Sequence, residues 1–332
     1  MASTEAAPAV RDPVIRALSE SDLPGCLALS RAAKWNQNEA DWRLMLALGR
    51  GWGIAIRAGA EDGGPDAAPD EVLAASVVVI PYPATPDLPP ASATNPTITA
   101  SSAANAGCAW VSMVLVLPQF RRRGLAGRLL RHALAYLREQ RLLPVLDATP
   151  DGYPVYIQEG FEPAWGFRRY RRAAVSLDPE AAAAPRSHCI GETDWPALLA
   201  FDASAFGADR SQVLRALAKR MPQAARLVRD SGGDGEDGRI AGFILGRDGL
   251  DACQLGPLVA RDAATAQLLI DDVLDRVAGP VQVDLADRHL VLLEGLVARG
   301  FLLQRPFTRM ARGAAAPGDP APVVLVAGPE LG

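Results

Sequence analysis

Residues Trp110–Gln140 read WVSMVLVLPQFRRRGLAGRLLRHALAYLREQ, and three pieces of local chemistry follow one another in them. Trp110 to Leu117 is an apolar run, rich in Val and Leu, too short for a helix and bounded by Pro118. Such a run is expected to be a buried strand. Next come Arg121, Arg122, Arg123, Gly124, Leu125, Ala126 and Gly127, a basic turn with two glycines. Leu125, Leu129, Leu130, Ala133, Leu134 and Leu137 then recur at helical spacing, which places an amphipathic helix from near Gly124. The first amides of a helix have no partner within it, and the dipole there favours negative charge. Glycine lets a phosphate approach the backbone, because no Cβ intervenes. An Arg-rich helix start is otherwise a solvated end; the strand before it and the apolar helix after it favour an anion site.

Composition narrows the class. The chain has 332 residues, 49% hydrophobic and 22% charged, enough for two soluble globular domains with full cores. Its net charge of −4 argues against general nucleic-acid affinity. Cys26, Cys108, Cys189 and Cys253 are widely spaced, and the three histidines fall in no ligand pattern. We therefore expect no metal, no disulfide framework and a cytoplasmic location. Neither a signal-peptide core nor a run of 18 apolar residues is present, so no membrane partner is expected.

Along the chain, residues 1–12 are expected to form a disordered leader. A short strand at Val14–Leu18 precedes the capping residues Ser19–Asp22, a helix to about Ala33 and a second at Glu39–Leu48 carrying Trp42. Strands follow at Gly53–Arg57 and Glu71–Pro81. Residues 83–106, rich in Pro, Ala, Ser and Thr, cannot pack a core and read as an insertion, either a flap or solvated coil. Beyond the central helix, Leu142–Asp147 reads as a buried strand, Ala148–Gly152 as a turn and Tyr153–Glu159 as a short helix ending at Gly160. Phe161–Ala174 reads as a final pair of strands.

Two of these segments carry a resemblance. Arg121-x-x-Gly124-x-Ala126, preceded by Val114-Leu115-Val116-Leu117-Pro118, is similar to the [RQ]-x-x-G-x-[GA] signature of the GNAT N-acetyltransferase superfamily. Tyr156-Ile157-Gln158-Glu159-Gly160-Phe161 resembles the L-Y-x-x-x-G-F of that superfamily's tail helix, at the Tyr and at the Gly-Phe. The two motifs stand in the expected order, and the resemblance covers about residues 18–172.

The second half echoes the first. Leu18-Ser-Glu20-Ser21-Asp22-Leu-Pro24 returns as Ile190-Gly-Glu192-Thr193-Asp194-Trp-Pro196, and Gly160-Phe161 returns as Gly300-Phe301. Arg169 and Arg309 each lie eight residues beyond their phenylalanine. Such a repeat implies two similar domains packed together. The expected architecture is α/β (α+β): two tandem GNAT-like domains, each a mixed, mostly antiparallel twisted sheet flanked by helices. The first spans 13–175, a linker 176–185, the second 186–313 and a flexible tail 314–332. In the second copy Ala260-Arg261-Asp262-Ala263 replaces the glycine turn, Leu296 stands four residues before Gly300, and Asp262 would oppose an anion. The first domain is expected to be intact and the second degenerate as a catalyst.

The resemblance implies acetyl-CoA as cosubstrate and an N-acetyltransferase acting on a primary amine of a small molecule or peptide, as a monomer or homodimer. By that resemblance Val114, Leu115 and Val116 face the pantetheine, and Arg121, Arg122, Arg123, Gly124, Leu125, Ala126 and Gly127 surround the pyrophosphate. Thr149 stands where many relatives have Asn, and its hydroxyl is a further pantetheine contact. Tyr156 takes the place of the tyrosine that protonates the leaving thiolate; the alternative is a core tyrosine. Asp147 closes its strand toward the cleft, as a general base or as a cap of the Thr149–Gly152 turn. The rival to catalysis is an acetyl-CoA-binding or sensor protein of the same fold.

Overall fold

Asp22 and Asp194 begin the two halves in the same way. Each turns its Oδ2 back onto the amide three residues earlier, Ser19 at 2.8 Å and Gly191 at 2.6 Å. This closes the turn that launches a helix. The computed structural model describes residues 14–57, 71–85, 107–176, 186–230 and 238–332. The expected leader, most of the 83–106 insertion and nearly all of the linker lie outside them.

In chain order the first half is β1 (Ile15–Ala17), α1 (Leu23–Ala32), α2 (Glu39–Leu48), β2 (Arg50–Arg57), β3 (Glu71–Pro83), β4 (Gly107–Val116), α3 (Leu125–Glu139), β5 (Leu143–Ala148), α4 (Tyr153–Gln158) and β6 (Glu162–Arg172). The second half is β7 (His188–Cys189), α5 (Trp195–Phe206), α6 (Ser211–Arg220), β8 (Arg226–Arg229), β9 (Ile240–Arg247), β10 (Cys253–Ala260), α7 (Ala263–Leu274), β11 (Val281–Ala286), α8 (Leu293–Ala298), β12 (Leu302–Ala311) and β13 (Val323–Leu325). No helix among the described residues is long and apolar enough to cross a membrane, and all four cysteines are free.

The strands form one sheet in the order β1-β2-β3-β4-β5-β12-β6-β11-β13-β10-β9-β8-β7. Its centre departs from the sequence expectation. Phe161–Ala174 is not a strand pair but the single strand β6, and the partner of its hairpin comes from the other half. β12 lies between β5 and β6, and β6 lies between β12 and β11, so each half lends its last long strand to the other. Phe167 and Phe307 face each other at the middle of the exchange, rings 5.0 Å apart and 9° from parallel.

Two ion pairs lock the exchange. Arg309 on β12 holds Asp147 on β5 at 2.9 and 3.0 Å, and Arg169 on β6 holds Asp284 on β11 at 2.8 and 2.7 Å. All four residues are buried, and each pair is directly opposite in strand register. Bidentate geometry is what makes buried charges tolerable, since each carboxylate oxygen meets its own N–H.

One core joins α1 and α2 with α5 and α6 on a shared face, through Trp42, Met45, Trp110, Leu198 and Phe206. On the opposite face α3 and α4 pack on the first half's strands through Leu129, Leu130 and Phe161, and α7 covers the second half through Leu269 and Val273.

The expected flexible tail, 314–332, is corrected by the structure. Val323–Leu325 is a sheet strand, and the chain from there to Gly332 is buried. Tyr82 donates to the Leu331 carbonyl at 2.8 Å and Trp110 Nε1 to that of Pro329 at 3.1 Å. Arg210 donates to the Gly332 carbonyl, and Arg247 pairs with Glu330. The run Val323–Ala327 is β-branched and apolar, and only a long-range partner turns such a run into a strand.

Candidate functional site

β4 and β5 run parallel over Cys108–Trp110 and Leu143–Val145 only. Beyond those residues β4 continues to Val116 with its outer edge unpaired, while its inner edge stays bonded to β3. The register slips between Ser112 and Leu115, where Met113 has φ +51°, and Ser76 Oγ donates to the Met113 carbonyl at 2.8 Å. The bulge re-aims Val114, Leu115 and Val116 along the opening. A free strand edge offers alternating donors and acceptors to an extended ligand.

At the head of this opening Pro118–Phe120 makes a single 3-10 turn, Arg122 and Gly124 take positive φ (+62° and +73°), and α3 begins. No side chain caps α3 and no acidic residue stands in its first turn. A Cβ on Gly124 would meet nothing within 4 Å, so the space before these amides is open. Arg121 Nε donates to the Val116 carbonyl at 3.3 Å, and Arg123 lies 5.4 Å over Phe120. Val114, Val116, Leu125, Leu129 and Tyr156 belong to one apolar cluster, so strand, helix start and α4 share a face.

Tyr156 is half-buried, edge-on to Phe161 at 6.0 Å. Burial pushes its phenol up to about 12. Gly152 makes room for it, since a Cβ there would come within 2.9 Å of the ring. Thr149 Oγ1 accepts the Gly152 amide at 3.2 Å, and the Thr149 carbonyl accepts it at 3.0 Å. Thr149, rather than Asp147, therefore closes the turn.

Asp147 lies on the sheet face away from α3, with both carboxylate oxygens held by Arg309. Burial pushes the carboxyl up, and the Arg309 charge and hydrogen bonds pull it down. The Arg309 guanidinium in turn sits 4.3 Å from the ring centres of both Trp110 and Trp165. Thus Arg121–Gly127, Val114–Val116, Thr149 and Tyr156 border the opening, and Asp147 stands behind it in an ion pair. Trp42 is core, with Nε1 bonded to Ser30 at 2.9 Å, and Glu159 pairs with Arg131 at 2.6 Å. Arg309 and Trp165 escaped the sequence reading as site residues. The signal was present in the matched Phe-to-Arg spacing of the two halves, although it did not say that each arginine serves the other half.

The second half has the same opening, built differently. β10 and β11 pair over Cys253–Leu255 and Val281–Val283, and β13 then fills the gap, with Leu325 opposite both Leu258 and Leu285. α7 starts at Asp262, whose side chain accepts the Thr265 amide at 2.8 Å. Gln254 and Gln282, bonded at 2.6 Å, stand where the first half has Trp110 and Val145.

Known proteins share this pattern. Residues 70–156 match the Acetyltransferase (GNAT) family, and residues 198–322 match an Acetyltransferase (GNAT) domain. An uncharacterized N-acetyltransferase, YitH of Bacillus subtilis (strain 168), is 26% identical over 196 residues, or 58% of this chain and 65% of that protein. A putative acetyltransferase from Pyrococcus horikoshii has the same fold, with TM-score 0.70, 17% identity and 99% of both chains covered. A tandem GNAT protein from the clavulanic acid biosynthesis pathway superposes at TM-score 0.53, with 14% identity over 90% of this chain and 98% of that one.

Proposed function

Because the chain belongs to the GNAT acetyltransferases, with two such domains in tandem, we propose that its first half moves an acetyl group from acetyl-CoA to a primary amine of a small molecule or peptide. The observation that carries this reading is the uncapped start of α3 at left-handed Gly124, opening beside the unpaired edge of β4.

Acetyl-CoA, when bound, supplies an acetyl group activated as a thioester. The amides from Arg122 to Gly127 hold its diphosphate, with Arg121, Arg122 and Arg123 adding positive charge. The main chain of Val114, Leu115 and Val116 lies along the pantetheine arm, and the Thr149 hydroxyl adds a contact. The Tyr156 phenol keeps its proton at neutral pH, because desolvation has raised it to about 12. It would give that proton to the sulfur as the C–S bond breaks and be restored by the proton that the amine nitrogen sheds on becoming the amide.

Asp147 fits the part of general base less well than its position in the sequence suggests. Burial, outweighing the pull of Arg309, raises the carboxyl above its usual range, yet both of its oxygens are occupied by the Arg309 guanidinium, so neither is free to take the amine proton. Its proposed role is to anchor Arg309 beneath the acceptor, which then attacks as the neutral amine already present at working pH. The same pair is what favours the alternative, an acetyl-CoA sensor without turnover. Thiol release from acetyl-CoA with a panel of amines decides between them. Release with at least one amine supports transfer; a raised melting temperature with acetyl-CoA and no amine consumed supports the sensor.

A further inference from the structure

On the face of the sheet where Asp147 and Arg309 meet, a cavity of about 510 Å³ is lined by Trp165, Gly166, Asp287, Arg288, His289 and Ala321. Trp165 is shared with a much smaller void beside it, bordered by Trp110, Val145, Phe206 and Arg309. The smaller void, about 10 Å³, reaches β4 and β5 through Trp110 and Val145, and Trp165 separates it from the larger one.

The charges around the two spaces do not balance. Asp287 forms an ion pair with Arg168, Nε to Oδ1 at 3.1 Å, although Oδ1 accepts no hydrogen bond, and the approach needs Gly166, since a Cβ there would lie 2.5 Å from Asp287 Oδ2. Asp147 is committed to Arg309. His289 Nε2 is bonded to the Ala321 carbonyl at 2.9 Å, and burial first, with the Arg288 charge, pushes the imidazole below its ordinary value. Arg288 is different. Its guanidinium lies 4.9 Å over the Trp165 ring and makes no ion pair with any described carboxylate. Burial pushes it below its usual range against the weaker pull of Asp319, with Arg309 adding to the lowering. Arg288 is exposed, and a guanidinium resting over an indole with its N–H groups unused suits a carboxylate or another planar oxyanion.

We propose that Arg288 seats a carboxylate of the acceptor in the cavity beside Trp165, so that the amine substrate is an amino carboxylate. This rests on the acetyl-transfer reading of the first half. It assigns the second half a part in the reaction, since Arg288 follows β11 and lines the cavity together with Trp165 of β6. A decarboxylated amine of the same skeleton then loses the anchor at Arg288.

The test is calorimetric binding of N-acetyl-L-amino acids and of their methyl esters to the full chain in the presence of CoA. These are product analogues, so binding is read without turnover. Free acids are expected to bind at least about tenfold tighter than their esters, as a charge-assisted bidentate contact implies. Arg288→Gln is expected to erase that difference, and Arg288→Lys to keep part of it. Arg261→Gln, which removes a guanidinium stacked 4.7 Å over Phe201 elsewhere, leaves it intact. Equal binding of acids and esters, no binding of either, or an unchanged preference in Arg288→Gln overturns the proposal. Thiol release is scored separately. Acid-selective binding that Arg288→Gln erases, with no amine consumed, leaves the carboxylate site standing and removes the transferase. Turnover with no carboxylate preference does the reverse.

Discussion

The start of α3 and the start of α7 hold matching places in the two halves and are finished in opposite ways. α3 opens on a left-handed glycine with empty space before its amides. α7 opens on Asp262, whose carboxylate occupies the amide that a phosphate would need. The strands beside them repeat the contrast: β4 and β5 diverge around an open edge, while β10 and β11 diverge around β13. A duplicated backbone therefore does not duplicate a site. One cap and one inserted strand are enough to turn an anion cradle into structure, and the half so altered can be used for something else. Here that is the loan of β12, with Arg309, to the other half.

Five substitutions test this contrast. Arg309→Ala has the largest expected effect: it strands Asp147 as an unpaired buried charge, which costs about 3–5 kcal/mol in denaturant unfolding. Arg169→Ala should cost the same through Asp284, and a loss below about 1 kcal/mol for either would show that the exchanged strands are not held by these pairs. Tyr156→Phe should lower kcat about 100-fold and leave acetyl-CoA affinity unchanged. With the wild-type phenol at about 12, the rate should rise with pH as the acceptor amine loses its proton, and no falling limb should appear below that value. A bell-shaped profile centred near neutrality would assign proton donation to another group.

Gly124→Asp sets the second half's carboxylate at the first half's helix start. Aspartate tolerates left-handed φ better than most residues, so the fold should survive. Acetyl-CoA affinity should drop about 30-fold, the equivalent of about 2 kcal/mol. The smallest effect belongs to the reverse change. Asp262→Ala should cost about 1 kcal/mol of helix capping and create no acetyl-CoA site, because β13 still fills the opening. A new binding site in that variant would show that the cap alone had closed the second half.

Much of this was legible in the residues. The apolar run to Leu117, the glycines at 124 and 127 and the leucines of α3 are local signals, and the structure forms the expected strand, turn and helix. The helix expected at Glu39–Leu48 is the one the structure forms. The tail was not legible, because a short Val-rich segment flanked by Pro, Ala and Gly has no local partner to reveal it as a strand. Nor was the fate of Asp147, whose ion-pair partner lies 162 residues away.

The sequence by itself determined which helix start is left uncapped, since a glycine at 124 and a capping carboxylate at Asp262 are properties of single residues. Only the tertiary structure decided which half owns which strand. β12 pairs with β5 and β6 with β11, and the ion-paired residues on them lie 162 and 115 residues apart, so no local signal marks either pairing.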